Sequence, residues 1–189
     1  METILLVNGC VRPESRTYSL AKTILEKLDG SVTELNLEKE AIEPLNHETL
    51  RARDMFVKRR DFSDLMFTYA KQFSGADVVV IAAPYWDLSF PAAVKAYIEA
   101  ITVTGITFQY TADGSVEGLC RARKLIYVTT AGGSIVSPDY GFDYIKAMSE
   151  NFYGIKDVVC FEAENLDIIG ADVDAILQDA RNRITGSIL

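Results

Sequence analysis

Asp77–Ala83 reads DVVVIAA, and the reading of this stretch decides the fold class. Its three valines and one isoleucine follow each other with no polar residue between them. A strand with one wet face alternates apolar and polar residues. A strand that is apolar at every position is covered on both faces, which is the pattern of a parallel sheet packed between helices. Pro84 ends the run. Toward the N-terminus, Thr3–Asn8 (TILLVN) is a second such run, closed by Asn8-Gly9. Toward the C-terminus, Lys124–Thr130 (KLIYVTT) runs into Ala131-Gly132-Gly133, and Asp157–Phe161 (DVVCF) is a further short strand. Ser31–Leu37 (SVTELNL) alternates, so a strand with one better-covered face is expected there.

Helical patterns separate these strands. In Ser19–Leu28, Leu20, Ile24 and Leu28 fall at four-residue spacing with Ala21 and Leu25 beside them, and Asp29-Gly30 supplies a stop. Phe62, Leu65, Met66, Tyr69 and Phe73 keep helical spacing and are expected to pack into the core. Pro91–Ile101 is predicted helical, with Pro91 in the first turn, where its missing N–H costs nothing. Phe142–Phe152 and a last helix carrying Val173, Ile176, Leu177, Ala180 and Ile184 complete the set. Thr107–Gly118 (TFQYTADGSVEG) places Asp113-Gly114 between short stretches and predicts a hairpin. The polar segment Glu38–Asp61, containing Pro44, is expected to be a long, partly helical connection, serving as a functional lid or a plain surface excursion. The alternation predicts an α/β fold. Its expected form is a doubly wound five-stranded parallel sheet of order 2-1-3-4-5, with helices on both faces and residues 1–189 in a single domain.

Bulk composition narrows the function classes. The 189 residues are 49% hydrophobic and 24% charged, with a formal net charge of −8. No basic stripe opposes that charge, so nucleic acid is not an expected partner. Ile4-Leu5-Leu6-Val7 is too short for a leader's apolar region, and no stretch approaches a membrane span, so a cytoplasmic protein is expected. Cys10, Cys120 and Cys160 are far apart and make neither a zinc spacing nor a disulfide scaffold. With one histidine, His47, no His-rich metal site is expected, and any Ser-His-Asp triad would have to use it.

In an open α/β sheet, ligands bind beyond the carboxyl ends of the strands, where strand order reverses. In the 2-1-3-4-5 order that point lies between strands one and three. The loop after strand one, Gly9–Ser19, is rich in hydroxyls and opens a helix, whose free N–H groups favour a phosphate monoester. Ser15 and Thr17 can donate, and Arg16 or Arg12 can supply charge. An ordinary N-cap and turn would use the same residue types. The loop lacks the Walker and G-x-G-x-x-G spacings, which disfavours a P-loop nucleotidase and a standard dinucleotide fold. The loop after strand three, Pro84–Pro91 (PYWDLSFP), brings Tyr85 and the lone Trp86 to the same end, where a flat heterocycle could stack or the rings could plug core. The loop after strand four, Thr129–Ser134, offers glycines that let backbone approach a ligand, or simply turn.

The block from Ala83 to Leu119, APYWDLSFPAAVKAYIEAITVTGITFQYTADGSVEGL, resembles the FMN-dependent NADH:quinone oxidoreductase and azoreductase family, within the flavodoxin-like NAD(P)H oxidoreductases. The matching features are Ala83-Pro84, Pro91, Val94-Lys95, Gly105-Ile106-Thr107-Phe108-Gln109-Tyr110-Thr111 and Gly118-Leu119. The resemblance implies FMN as cofactor, NADH or NADPH as co-substrate, a quinone or azo compound as acceptor, and a homodimer. It places Ser15, Arg16 and Thr17 on the FMN phosphate, with Cys10 in the same loop. Pro84, Tyr85, Trp86, Asp87 and Leu88 would line the isoalloxazine, with a backbone N–H near N5. Thr130, Gly132 and Gly133 would bond the pyrimidine edge, and Tyr110 with Trp86 would wall an acceptor pocket shared between subunits. The chain departs from the family at Cys10 (commonly Ser), Asp87 (commonly Asn), Leu88 (commonly Phe) and Ser134-Ile135, where a His is usual. No protein nucleophile is implied, because the flavin carries the chemistry. The competing readings are a flavodoxin-type electron carrier without its own NAD(P)H activity and a non-flavin signalling domain. The latter would need an acidic cluster after strand one, where Asn8-Gly9-Cys10 stands.

Overall fold

The computed structural model describes residues 1–188. Five parallel strands form the central sheet: β1 (Glu2–Asn8), β2 (Gly30–Asn36), β3 (Val78–Ala82), β6 (Lys124–Thr130) and β7 (Asp157–Ala163), in the order β2-β1-β3-β6-β7. A two-stranded antiparallel ribbon, β4 (Phe108–Tyr110) and β5 (Val116–Gly118), stands apart from it. The helices are α1 (Arg16–Leu25), α2 (His47–Arg59), α3 (Thr68–Gly75), α4 (Ala92–Ile101), α5 (Phe142–Met148) and α6 (Val173–Gly186). The expected doubly wound topology and strand order are those observed.

The apolar runs are explained by two cores. Successive side chains of a strand point to opposite faces. Leu5, Val7, Val79, Ile81, Leu125 and Tyr127 face one core with Phe67, Phe73, Val94, Tyr97 and Ile145. Ile4, Leu6, Val78, Val80, Ile126 and Val128 face the other with Leu20 and Ile24 of α1 and Leu177 and Ile184 of α6. Every residue of β3 and β6 is buried, so both faces contribute to stability, at about 1.5–3 kcal/mol for each large aliphatic side chain.

Several elements differ from the sequence expectation. α1 starts at Arg16, three residues before Ser19, because the Ser15 hydroxyl accepts from the Tyr18 N–H and caps the helix there. The same helix ends at Leu25, before Leu28. β2 is an edge strand with only Leu35 buried, so its alternation does not produce a covered face. The 38–61 connection contains the 13-residue α2, begun by a capping box in which Asn46 Oδ1 accepts from the Thr49 N–H and the Thr49 hydroxyl accepts from the Asn46 N–H. The aromatic stripe does not lie on one helix. Asp64 caps a tight 3-10 turn at Leu65–Phe67, which leaves Leu65 85% exposed and buries Phe67 instead. Pro91 is the N-cap of α4, one position before its first turn. α5 widens into a π-turn at Ser149–Tyr153 that ends on Gly154 in the left-handed region. A Cβ on Gly118 would overlap the Tyr153–Gly154 backbone, so this glycine is what lets β5 dock there. None of the helices of the described residues is long and apolar enough to cross a membrane.

Candidate functional site

Parallel register aligns the outgoing ends of β1 and β3, with Asn8 paired to Ala82, and those of β6 and β7, with Thr130 paired to Ala163. The chain leaves β1 through Gly9, whose N–H donates to Ala82 O at 2.8 Å. A Cβ on Gly9 would stand 2.6 Å from Val94 Cγ2, so glycine is required where this loop crosses α4. Beyond these ends lies a crevice of about 730 Å³, within the usual range for cofactor pockets.

One wall is the N-terminus of α1. Among the described residues, the Arg16 and Thr17 backbone N–H groups have no protein acceptor. With the Arg12 and Arg16 side chains they form a donor set suited to a phosphate group. Thr17 is 1% exposed, and its hydroxyl pairs with that of Thr130 at 2.6 Å across the crevice floor. Cys10 is buried in the same wall, and burial raises its thiol above the ordinary value. It is therefore neutral at pH 7 and is neither a base nor an anion repelling phosphate.

A second wall is Pro84, Tyr85 and Trp86. Tyr85 N–H donates to Thr130 O at 3.0 Å, which extends the β3–β6 ladder into the loop. Trp86 and Ser89 then exchange backbone hydrogen bonds around a two-residue turn, with Asp87 (φ 50°) and Leu88 (φ 68°) both left-handed. Such turns normally use Asn and Gly. Among the described residues, the Asp87 and Leu88 N–H groups donate to no protein acceptor.

The third wall joins the loops after β6 and β7. Asp167 N–H donates to Gly132 O at 2.8 Å, and Asn165 N–H to Gly133 O at 3.0 Å. Arg16 Nη1 reaches from α1 to Asp167 Oδ1 at 2.7 Å and to Leu166 O at 3.2 Å. A Cβ on Gly132 would strike the Asp167 carboxylate, so the space left by this glycine admits Asp167 rather than leaving backbone open to a ligand.

The crevice thus gathers Cys10, Ser15, Arg16, Thr17, Pro84, Tyr85, Trp86, Thr130 and Gly132. Asp87 and Gly133 each follow a lining residue and Leu88 is two positions from one, but none of the three lines it. Tyr110 is 60% exposed on the ribbon, packed edge-on against Phe108, and is not part of the crevice of this chain. His47 is exposed at the start of α2, which removes a Ser-His-Asp arrangement in the crevice. No cluster of three metal-ligating side chains occurs among the described residues. Leu166 and Asp167 also line the crevice, although the sequence singles out only the loops after the first, third and fourth strands. Their signal was position alone, since the fifth strand ends beside the fourth.

An open α/β sheet with an unpaired helix N-terminus and an aromatic loop at its switch point has its crevice where doubly wound folds bind their ligands. The sequence profile of the flavodoxin-like fold family matches residues 2–187. The FMN-dependent NADH:quinone oxidoreductase 2 of Clostridium acetobutylicum is 37% identical, over 95% of this chain and 94% of its own. An azoreductase from Bacillus anthracis superposes with a TM-score of 0.84 at 22% identity, covering 97% of both chains. An FMN-dependent NADH-azoreductase from the same species, in complex with FMN, superposes with a TM-score of 0.79 at 22% identity, over 97% of this chain and 96% of the other. The chain belongs to the flavodoxin-like fold family and, within it, to the FMN-dependent NADH:quinone oxidoreductases.

Proposed function

We propose that this chain is an FMN-dependent oxidoreductase that passes electrons from NADH, or NADPH, to quinones or azo compounds. The observation that carries this reading is the convergence of a phosphate-type donor set and an aromatic wall on one crevice. The names of the relatives support the cofactor, the nicotinamide donor and the acceptor class. When bound, FMN would supply the redox chemistry, and the protein's part is orientation and electrostatics.

Ser15, Arg16 and Thr17 hold the phosphate at the positive end of α1, with Cys10 filling space beneath as a neutral thiol. Pro84, Tyr85 and Trp86 wall one side of the ring, while the Asp87 and Leu88 N–H groups are free to bond its edge. Thr130 and Gly132 bound the pyrimidine end, with Gly133 behind them in the same loop. The exposed Trp86, Leu88, Tyr110, Val116 and Leu119 supply apolar surface for a homodimer in which Tyr110 of one subunit closes the acceptor pocket of the other. One domain performs the whole reaction in the cytoplasm, without a nucleic-acid or membrane partner. Donor and acceptor take turns in one pocket, which requires ping-pong kinetics.

The test is steady-state oxidation of NADH by the purified protein with FMN and a water-soluble quinone. FMN-dependent turnover with parallel double-reciprocal lines is expected. Failure to bind FMN rejects the reading, and FMN binding without NADH oxidation replaces the enzyme with an electron carrier.

A further inference from the structure

The four charged residues lining the crevice are Arg12, Glu14, Arg16 and Asp167, two of each sign. The chain as a whole carries −8. A phosphate dianion therefore gains nothing from the global field and depends on how much of the local positive charge is free. Arg16 is not free, because Nη1 is engaged by Asp167 Oδ1 at 2.7 Å and by Leu166 O at 3.2 Å. Asp167 is fixed for this contact by its own N–H on Gly132 O and by the space that Gly132 leaves. The carboxylate contributes nothing else to the crevice that is visible in the hydrogen bonds of the described residues.

We infer that Asp167 sets the affinity for the phosphate-bearing flavin by competing, as a resident carboxylate, for the Arg16 guanidinium. This rests on the FMN reading above and adds a residue and a direction to it. A guanidinium presents five donors in a fixed fork, so one Arg can serve a carboxylate and a phosphate together. The two anions then share a single positive charge and repel each other across it. The consequence is a cofactor held less tightly than the donor set alone would allow. Discrimination between the phosphorylated flavin and its dephosphorylated form is blunted for the same reason.

Asp167→Asn is the direct test, since it keeps side-chain size and the backbone bond to Gly132 while removing the charge. The readout is the Kd of apoprotein for FMN and for riboflavin, by quenching of flavin fluorescence, in the wild type, D167N, R16Q and the double variant. FMN binding to D167N is expected to tighten about threefold or more at low salt. That gain shrinks at high salt and is smaller in the R16Q background, where only the direct repulsion between carboxylate and phosphate is left to relieve. Riboflavin binding is expected to stay unchanged throughout. An FMN Kd that is unchanged or weakened in D167N overturns the inference, as does equal tightening for riboflavin or full persistence of the effect without Arg16. Wild-type protein that binds neither flavin sinks the functional reading and this inference with it. Wild-type protein that binds FMN but ignores D167N sinks this inference alone.

Discussion

The buried hydroxyl pair between Thr17 and Thr130 joins fold and site, and its removal has a calculable outcome. The two oxygens are 2.6 Å apart, at residues 1% and 9% exposed, and neither side chain has another protein partner among the described residues. Thr17→Val keeps the shape and deletes one hydroxyl. The structure then loses one hydrogen bond, a net contribution of about 1 kcal/mol. The abandoned Thr130 hydroxyl lies on the crevice lining, where water reaches it, so the cost stays at that end of the range. Thr130→Val costs a similar amount. In the double variant two apolar groups meet, and replacing both partners of a hydrogen bond is close to neutral. The two single effects therefore do not add, and the coupling is about 1 kcal/mol in magnitude. Urea unfolding of the apoprotein measures this as a shift in midpoint at constant slope, matched in heating by about 2–4 °C for each single variant. Strictly additive losses in the double variant, or single variants as stable as the wild type, would refute the reasoning.

Other outcomes follow from the site and the ribbon. Trp86→Ala removes a ring that walls the crevice, and FMN affinity should fall several-fold, read by fluorescence quenching, with unfolding midpoints unchanged. Asp87→Asn removes a carboxylate from the turn next to the crevice lining and, because Asn also tolerates the left-handed backbone, should raise the midpoint potential of bound flavin; an unchanged potential from spectroelectrochemistry contradicts this. Tyr110→Ala should raise the quinone KM and leave the FMN Kd alone, since Tyr110 does not line the crevice of its own chain. Asp113 is held down to about 2 by bonds from the Thr111 and Ser115 hydroxyls and the Ser115 N–H. A depressed carboxylate favours the folded turn above its unfolded value, and that preference is lost as pH falls through about 2, so carboxyl NMR titration should find its midpoint there and not near 3.8.

Legibility in the sequence followed burial. Val78–Ala82 and Lys124–Thr130 were plain because every side chain in them faces a core. The 13-residue α2 was obscure because none of its residues is buried, so no apolar period marks it. Its one written signal is the Asn46-x-x-Thr49 cap. The start of α1 was displaced because apolar periodicity begins at Leu20, whereas the helix begins where Ser15 caps it. Around the crevice, loop positions followed from strand order, and nine of the expected residues meet there. The tight turn at Asp87-Leu88 escaped because leucine is a poor marker of a left-handed backbone. Asp167 escaped because an acidic residue in a polar loop is unremarkable until Arg16 is seen against it.

Helix α2 is tied to the rest of the chain by few contacts, among them the Arg53 guanidinium on Glu99 O and an edge-to-face contact between Phe56 and Phe67. An element attached this way can detach and re-form without disturbing the central strands. Its amides should exchange with deuterated solvent well ahead of those of β3 and β6. Grafting a different sequence between Leu45 and Asp61 should therefore alter what surrounds the molecule while the sheet beneath folds as before.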